Sequence, residues 1–158
     1  MPSDIYLTLK NIKGESQDED HKDEIEISSW SWGVSNPASR EFGTGGGVGR
    51  AQFQNVTVTK YTDLSTTNLA GFCATNKDIA TAVISCYKAA GEKRVKYLEI
   101  TLEQCSISDF GISCGGHDIA QESAAIAYAK ILMKYTPQEK DQAGGGGLEF
   151  EHDVTKHK

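Results

Sequence analysis

Alternation of apolar and polar side chains runs through most of the chain and predicts strands more often than helices. Ile5, Leu7 and Leu9 alternate with Tyr6, Thr8 and Lys10, the two-residue period of a half-buried strand. Ile25, Ile27, Ser29 and Ser31 alternate with Glu26, Ser28, Trp30 and Trp32. This predicts a second strand over 25–32, with the two indoles on one face and the two hydroxyls on the other. A third is expected over Phe53–Tyr61, which is rich in β-branched residues. Val95–Phe110 supplies one or two more, broken near Gln104. The alanines of Glu122–Tyr135 favour helix. Its odd positions from Ala125 to Tyr135 are nonetheless all apolar, with Lys130 and Lys134 opposite, so the segment is expected as a strand with that odd-numbered face inward. One helix is predicted over 63–72, capped by Asp63, with Leu64, Leu69 and Phe72 on a shared face. Ile79–Tyr87 fits helix or strand from local pattern alone.

Polar or glycine-rich connectors separate these elements. Gly14–Lys22 is charged and turn-like, and 36–50 is an extended loop carrying Gly43-Thr44-Gly45-Gly46-Gly47-Val48-Gly49-Arg50. Loops of that length inside a small domain are usually functional or disordered. Gly144–Gly147 forms a linker to a last strand. The expected architecture is mainly β: a single domain over 1–158, built as an antiparallel β-barrel, closed or nearly so, with one short α-helix.

Composition adds a reason to expect association. Leu, Ile, Val and Phe make up only about a fifth of the 158 residues, a small core for the length. Such domains often gain stability from copies of themselves. The net charge of −6, with only three Arg and no basic block, argues against nucleic acid, which requires clustered cations. No apolar run approaches the roughly 20 residues of a membrane span, and the N-terminus lacks the basic start and apolar stretch of a secretory signal. Cys73, Cys86, Cys105 and Cys114 show no close pairing and read as reduced thiols.

Candidate chemistry is sparse. Gly111-Ile112-Ser113-Cys114-Gly115 fits the G-x-S-x-G nucleophile pattern, with His117 and Asp118 close behind. That motif works on a strand-to-helix elbow of an α/β sheet, and the surrounding pattern is a β meander, so a turn between strands is the simpler reading. The Gly43–Gly49 run contains neither G-x-G-x-x-G nor a P-loop ending. Cys105, Cys114 and His117 match no common zinc spacing, and Asp18, Glu19, Asp20, Asp23 and Glu24 lack the glycine-punctuated EF-hand pattern and read as a solvated acidic turn. His21, His152 and His157 lie in polar surroundings and are expected in solvent. No catalytic set, cofactor or metal site is expected. Two other readings stay open: a small serine hydrolase using Ser113, and a monomeric β module binding a small ligand.

Several runs taken together resemble the haemolysin-coregulated protein (Hcp) family of bacterial type VI secretion systems. These are Ile12-Lys13-Gly14-Glu15-Ser16, His21, the stretch ending Ser29-Trp30-Ser31-Trp32-Gly33 and the glycine-rich loop. Thr59-Lys60-Tyr61-Thr62-Asp63 with Ser65 and Leu69, then Tyr97-Leu98-Glu99-Ile100-Thr101-Leu102, Ile107-Ser108 and the run from Ala129 to Gln138 continue the match. His152 stands where members more often carry Trp. The resemblance implies a barrel-like protomer forming a homohexameric ring, with rings stacking into the inner tube of the secretion machine. It implies effector proteins carried in the ring lumen, sheath and spike components as partners, and export from a Gram-negative cytoplasm without a signal peptide. Ser29 and Ser31 would then line the lumen, Trp30 and Trp32 would face the core or a subunit boundary, and Gly43–Arg50 would reach the neighbouring ring.

Overall fold

The computed structural model describes residues 4–37, 50–137 and 147–156, so Gly43, Thr44, Gly45, Gly46, Gly47, Val48, Gly49, the linker residues Gly144, Gly145 and Gly146, and His157 lie outside the described residues. Among the described residues the fold is mainly antiparallel β with one helix, as the alternation predicts. Strand β1 (Ile5–Leu9) pairs with β2 (Ile25–Glu26) on one side and with β7 (Ile79–Ala90) on the other. Ile79–Tyr87, ambiguous by pattern, is therefore strand: between β1 and the strand that follows, its backbone finds partners on both sides. It turns through Gly91 into β8 (Lys93–Ser113), and Gly91 takes φ 65, a value that a two-residue hairpin turn of this kind needs and that favours glycine.

The 21-residue β8 organises the domain. Up to Cys105 it pairs with β7, and from Ser106 onward with β9 (Gln121–Ala127). Its other early edge, Leu98–Glu103, carries β10 (Lys130–Tyr135), which in turn carries β11 (Leu148–Asp153). The expected break near Gln104 is a corner and not an end. Gln104 takes φ 53, and at that point the strand passes from one sheet to the other.

Three expected strands are each divided, for one physical reason: the backbone changes partner. The 25–32 segment is β2 followed by β3 (Ser29–Ser31), because the Ile27 N–H donates to the Ile5 carbonyl at 3.1 Å and the Ser28 N–H to the Thr59 carbonyl at 2.7 Å. The segment moves from β1 to β6 (Val56–Tyr61) between those residues. Phe53–Tyr61 divides into β5 (Gln52–Phe53), paired with β4 (Val34–Ser35), and β6, paired with β3 and β9. Glu122–Tyr135 divides at Tyr128–Ala129 into β9 and β10. There the inward face changes phase, so Glu122, Ala124 and Ile126 are buried in β9 while Ile131 is buried in β10. The expectation of one odd-numbered inward face is wrong for the first half.

Of the two forms expected, a barrel closed or nearly so, the described residues form the second. The hydrogen-bonded path runs β2-β1-β7-β8-β9-β6-β3 and does not close as a ladder. Its two ends are halves of one segment, 25–31, which joins the sheets by covalent continuity. Between the sheets lie Leu7, Ile25, Ile27, Val58, Ile84, Ile100, Leu102, Ile107 and Ile126, each at most 1% exposed. Complete burial of such a side chain contributes about 1.5–3 kcal/mol.

Helix α1 covers Thr66–Thr75, three residues later than expected at its start. Asp63 does not cap it. Its Oδ1 accepts from the Ser65 N–H at 2.8 Å, forming a turn ahead of the helix, and Ser65 occupies the cap position without a side-chain cap bond. Leu64 therefore lies outside the helix and is 62% exposed, while Leu69 supplies the buried contact. The helix stops at Asn76 in a left-handed conformation, with the Asn76 and Lys77 N–H groups donating to the Cys73 and Phe72 carbonyls.

Candidate assembly surface

Strand β3 and the residue that follows it carry two different faces. Ser29 and Ser31 are exposed, while Trp30 and Trp32 are half-buried against the core. Trp30 donates its Nε1–H to Cys86 Sγ at 3.2 Å. Burial pushes the Cys86 thiol up despite that bond, so the sulfur stays protonated and apolar. Trp32 donates its Nε1–H to the Tyr128 hydroxyl at 2.6 Å, and that hydroxyl donates to the Gln54 carbonyl at 2.9 Å. Both indoles are anchored at the ring and at the N–H, which fixes β3 and leaves its two hydroxyls free to meet solvent or a partner.

The ribbon β4–β5 leads into and out of residues 38–49. Its register is Val34↔Phe53 and Ser35↔Gln52, with Arg50 exposed just before it. An aromatic group stands at its base. Phe53 lies 6.2 Å from Trp32 and stacks on His152 at 4.2 Å and 16°, while Phe150 lies 6.3 Å from Trp32. His152 is therefore half-buried against a ring and not in solvent, as its polar neighbours suggested. Tyr128, an aromatic set between Ala127 and Ala129, was missed in the sequence. Its isolation among small residues was the available signal.

Comparison with known proteins bears on what such a surface serves. The family described as "Type VI secretion system effector, Hcp" matches residues 6–135. The chain belongs to the Hcp family. Protein hcp1 of Pseudomonas aeruginosa is 38% identical over 148 residues, covering 93% of this chain and 91% of the relative. A solved structure described as a type six secretion system protein superposes with a TM-score of 0.89 at 28% identity, covering 99% of this chain and 98% of that one. Hcp1 from Salmonella typhimurium gives 0.78 at 27% identity, covering 100% and 99%.

Two polar networks give physical content to runs that carry the Hcp resemblance. In the first, Lys60 is fully buried, with Nζ 2.6 Å from Glu122 Oε1, 2.9 Å from Asp63 Oδ1 and 2.9 Å from the Tyr61 carbonyl. Glu122 Oε2 accepts from the Thr66 hydroxyl at 2.5 Å, and Asp63 from the Ser65 hydroxyl. The network ties the start of α1 to β6 and β9. Its Glu122 end went unread because a charge in a strand is ordinarily taken as outward-facing.

The second network holds the 14–24 segment against the β7–β8 ribbon. His21, expected in solvent, is only 7% exposed and stacks on Tyr6 at 4.3 Å. Its Nδ1 pairs with Glu24 and its Nε2 lies 2.5 Å from the Tyr87 hydroxyl. Arg94 pairs with Asp18 and donates to the Tyr6 hydroxyl at 2.9 Å. The acidic turn is thus partly paired rather than simply solvated. Gly14 sits where an added Cβ would lie 2.5 Å from the Glu24 carbonyl oxygen, so a side chain there would force the backbones apart.

The G-x-S-x-G match resolves into a hairpin. Ser113 ends β8, and the chain turns through Cys114–Ala120 into β9 with no helix following. Ser113, His117 and Asp118 border an open cleft of about 480 Å³, and no hydrogen bond joins the three among the described residues. Cys105 is buried in the core while Cys114 and His117 are exposed, so these three do not converge. Among the described residues, no helix is long and apolar enough to cross a membrane.

Proposed function

We propose that this chain is the structural subunit of a type VI secretion inner tube: a protomer that forms a homohexameric ring, stacks into tubes, and carries effector proteins in the lumen. The observation that carries the reading is membership of the Hcp family across residues 6–135. Sheath and spike components are its further partners. It works in the cytoplasm before assembly and is exported afterwards, and it acts by geometry and not by catalysis.

The local chemistry supports a division of labour. Ser29 and Ser31 form the small polar lumen wall, since they are exposed on a strand whose opposite face is pinned by Trp30 and Trp32. Small hydroxyls suit varied cargo because they offer hydrogen bonds without bulk. The Gly43–Arg50 stretch supplies the contact between rings, a weak contact made strong by repetition around the ring.

Size-exclusion chromatography with light scattering tests the ring: a hexamer mass is expected, and a monomer at every concentration would overturn it. The Ser31→Gln variant is expected to keep the ring and lose co-purifying effector, and unchanged retention would remove Ser31 from the lumen wall. Deleting Thr44–Val48 is expected to spare hexamers and abolish tubes, with long tubes in electron micrographs as the contrary result.

A further inference from the structure

We propose that the C-terminal strand β11 is the positioning element of the β4–β5 ribbon, acting through Phe150 and His152 on Trp32 and Phe53. The ribbon cannot orient itself. Among the described residues each strand is two residues long, the pairing is limited to Val34↔Phe53 and Ser35↔Gln52, and the ribbon belongs to no larger sheet. An isolated two-stranded ribbon is marginal even at full hairpin length. Its direction is therefore set by side chains at its base.

Those side chains come from β11 and from the β9–β10 joint. His152 stacks on Phe53, Phe150 stands beside Trp32, and the Tyr128 hydroxyl bridges Trp32 Nε1 and the Gln54 carbonyl. β11 is itself held firmly, by register with β10 from Lys130↔Asp153 to Tyr135↔Leu148 and by the Val154 N–H donating to the Ala129 carbonyl at 2.7 Å. Yet among the described residues it adds nothing to the buried core, and Phe150 is 42% exposed. Of the aromatic side chains of this edge strand, His152 stacks on Phe53 of the ribbon and Phe150 lies against Trp32 at the ribbon's base. Aromatic pairs of this kind stabilise beyond plain area burial, enough to select one ribbon orientation from several.

The role in assembly rests on the reading that residues 36–50 join one ring to the next; the positioning role does not. The test uses the full chain with Phe150→Ala, His152→Ala, His152→Trp and Tyr128→Phe. Trypsin cleavage after the exposed Arg50 reads how often the ribbon leaves its seat, and electron microscopy reads tube length. Cleavage is expected to rise about tenfold in Phe150→Ala and His152→Ala, corresponding to the loss of one or two such ring contacts. It should rise also in Tyr128→Phe, with ring mass and melting temperature near native and tubes shortened. His152→Trp is expected to restore slow cleavage and long tubes, because another aromatic face can stack on Phe53. Native cleavage rates in the alanine variants, or a His152→Trp variant as defective as His152→Ala, would overturn the proposal. If the native protein forms no tubes, the tube reading falls while the cleavage comparison still decides the positioning role.

Discussion

Removing the Glu122 carboxylate is the most informative single perturbation of this fold. Glu122 is 2% exposed and serves two partners: Lys60 Nζ at 2.6 Å and the Thr66 hydroxyl at 2.5 Å. In Glu122→Ala the Lys60 ammonium stays fully buried, with Asp63 and the Tyr61 carbonyl as its remaining partners. Breaking one side of a buried pair costs about 3–5 kcal/mol. The surviving Asp63 contact places the cost at the low end, about 3 kcal/mol. For a domain of this length each kcal/mol moves the melting temperature roughly 2–4 °C, so a fall of roughly 6–12 °C is expected. Thermal unfolding followed by circular dichroism, with urea titration to confirm an unchanged m-value, measures it. Replacing both charges, as Lys60→Met with Glu122→Leu, is expected to recover most of the loss, because no buried ion is left uncompensated. A Glu122→Ala variant within about 1 kcal/mol of native would refute the reasoning and mean that Asp63 alone satisfies Lys60.

Two further predictions follow from the titrating groups. At Asp18, burial acts to raise the carboxyl, but the Asp20 N–H, the Arg94 guanidinium and the Tyr6 hydroxyl outweigh it and hold the group below its usual 3.8. A depressed folded value means stability that is present above the unfolded pKa and lost as pH falls through the folded one. Asp18→Asn should therefore be less stable at neutral pH and show a shallower loss below pH 3.8, read from melting temperature against pH; an acid profile parallel to native would contradict this. Burial pushes the Cys105 thiol up to about 12 and raises Cys86 also. A thiol reagent at pH 8 is expected to label exposed Cys114 rapidly and to reach Cys86 and Cys105 only on unfolding. Rapid labelling of Cys105 in the folded protein would mean that the corner at Gln104 opens readily.

How much of this was legible in advance depends on whether the cause is local. Side-chain alternation is local, and it identified β1, the two faces of Ser29–Trp32 and the β-branched run of β6. The resemblance to the Hcp family was legible for a related reason, since short runs at fixed spacing survive in one dimension. Apart from the corner at Gln104, the breaks were not legible. Ile27–Ser28, Gln54–Asn55 and Tyr128–Ala129 interrupt strands because the backbone exchanges one distant partner for another, and neither partner is visible from the flanking residues.

The same distinction separates the polar residues. Glu122, Lys60 and His21 look like solvent-facing residues by type, and each is buried only because another part of the chain supplies its charge or hydrogen-bond partner. His152 finds the ring of Phe53 across about a hundred residues of chain. Sequence by itself determined the class of fold, the family and the two faces of strands such as Ser29–Trp32, because these follow from residue type and period. Tertiary structure decided which strands meet, which charges go inside and what stands beneath the β4–β5 ribbon, because those depend on contacts between residues far apart in the chain.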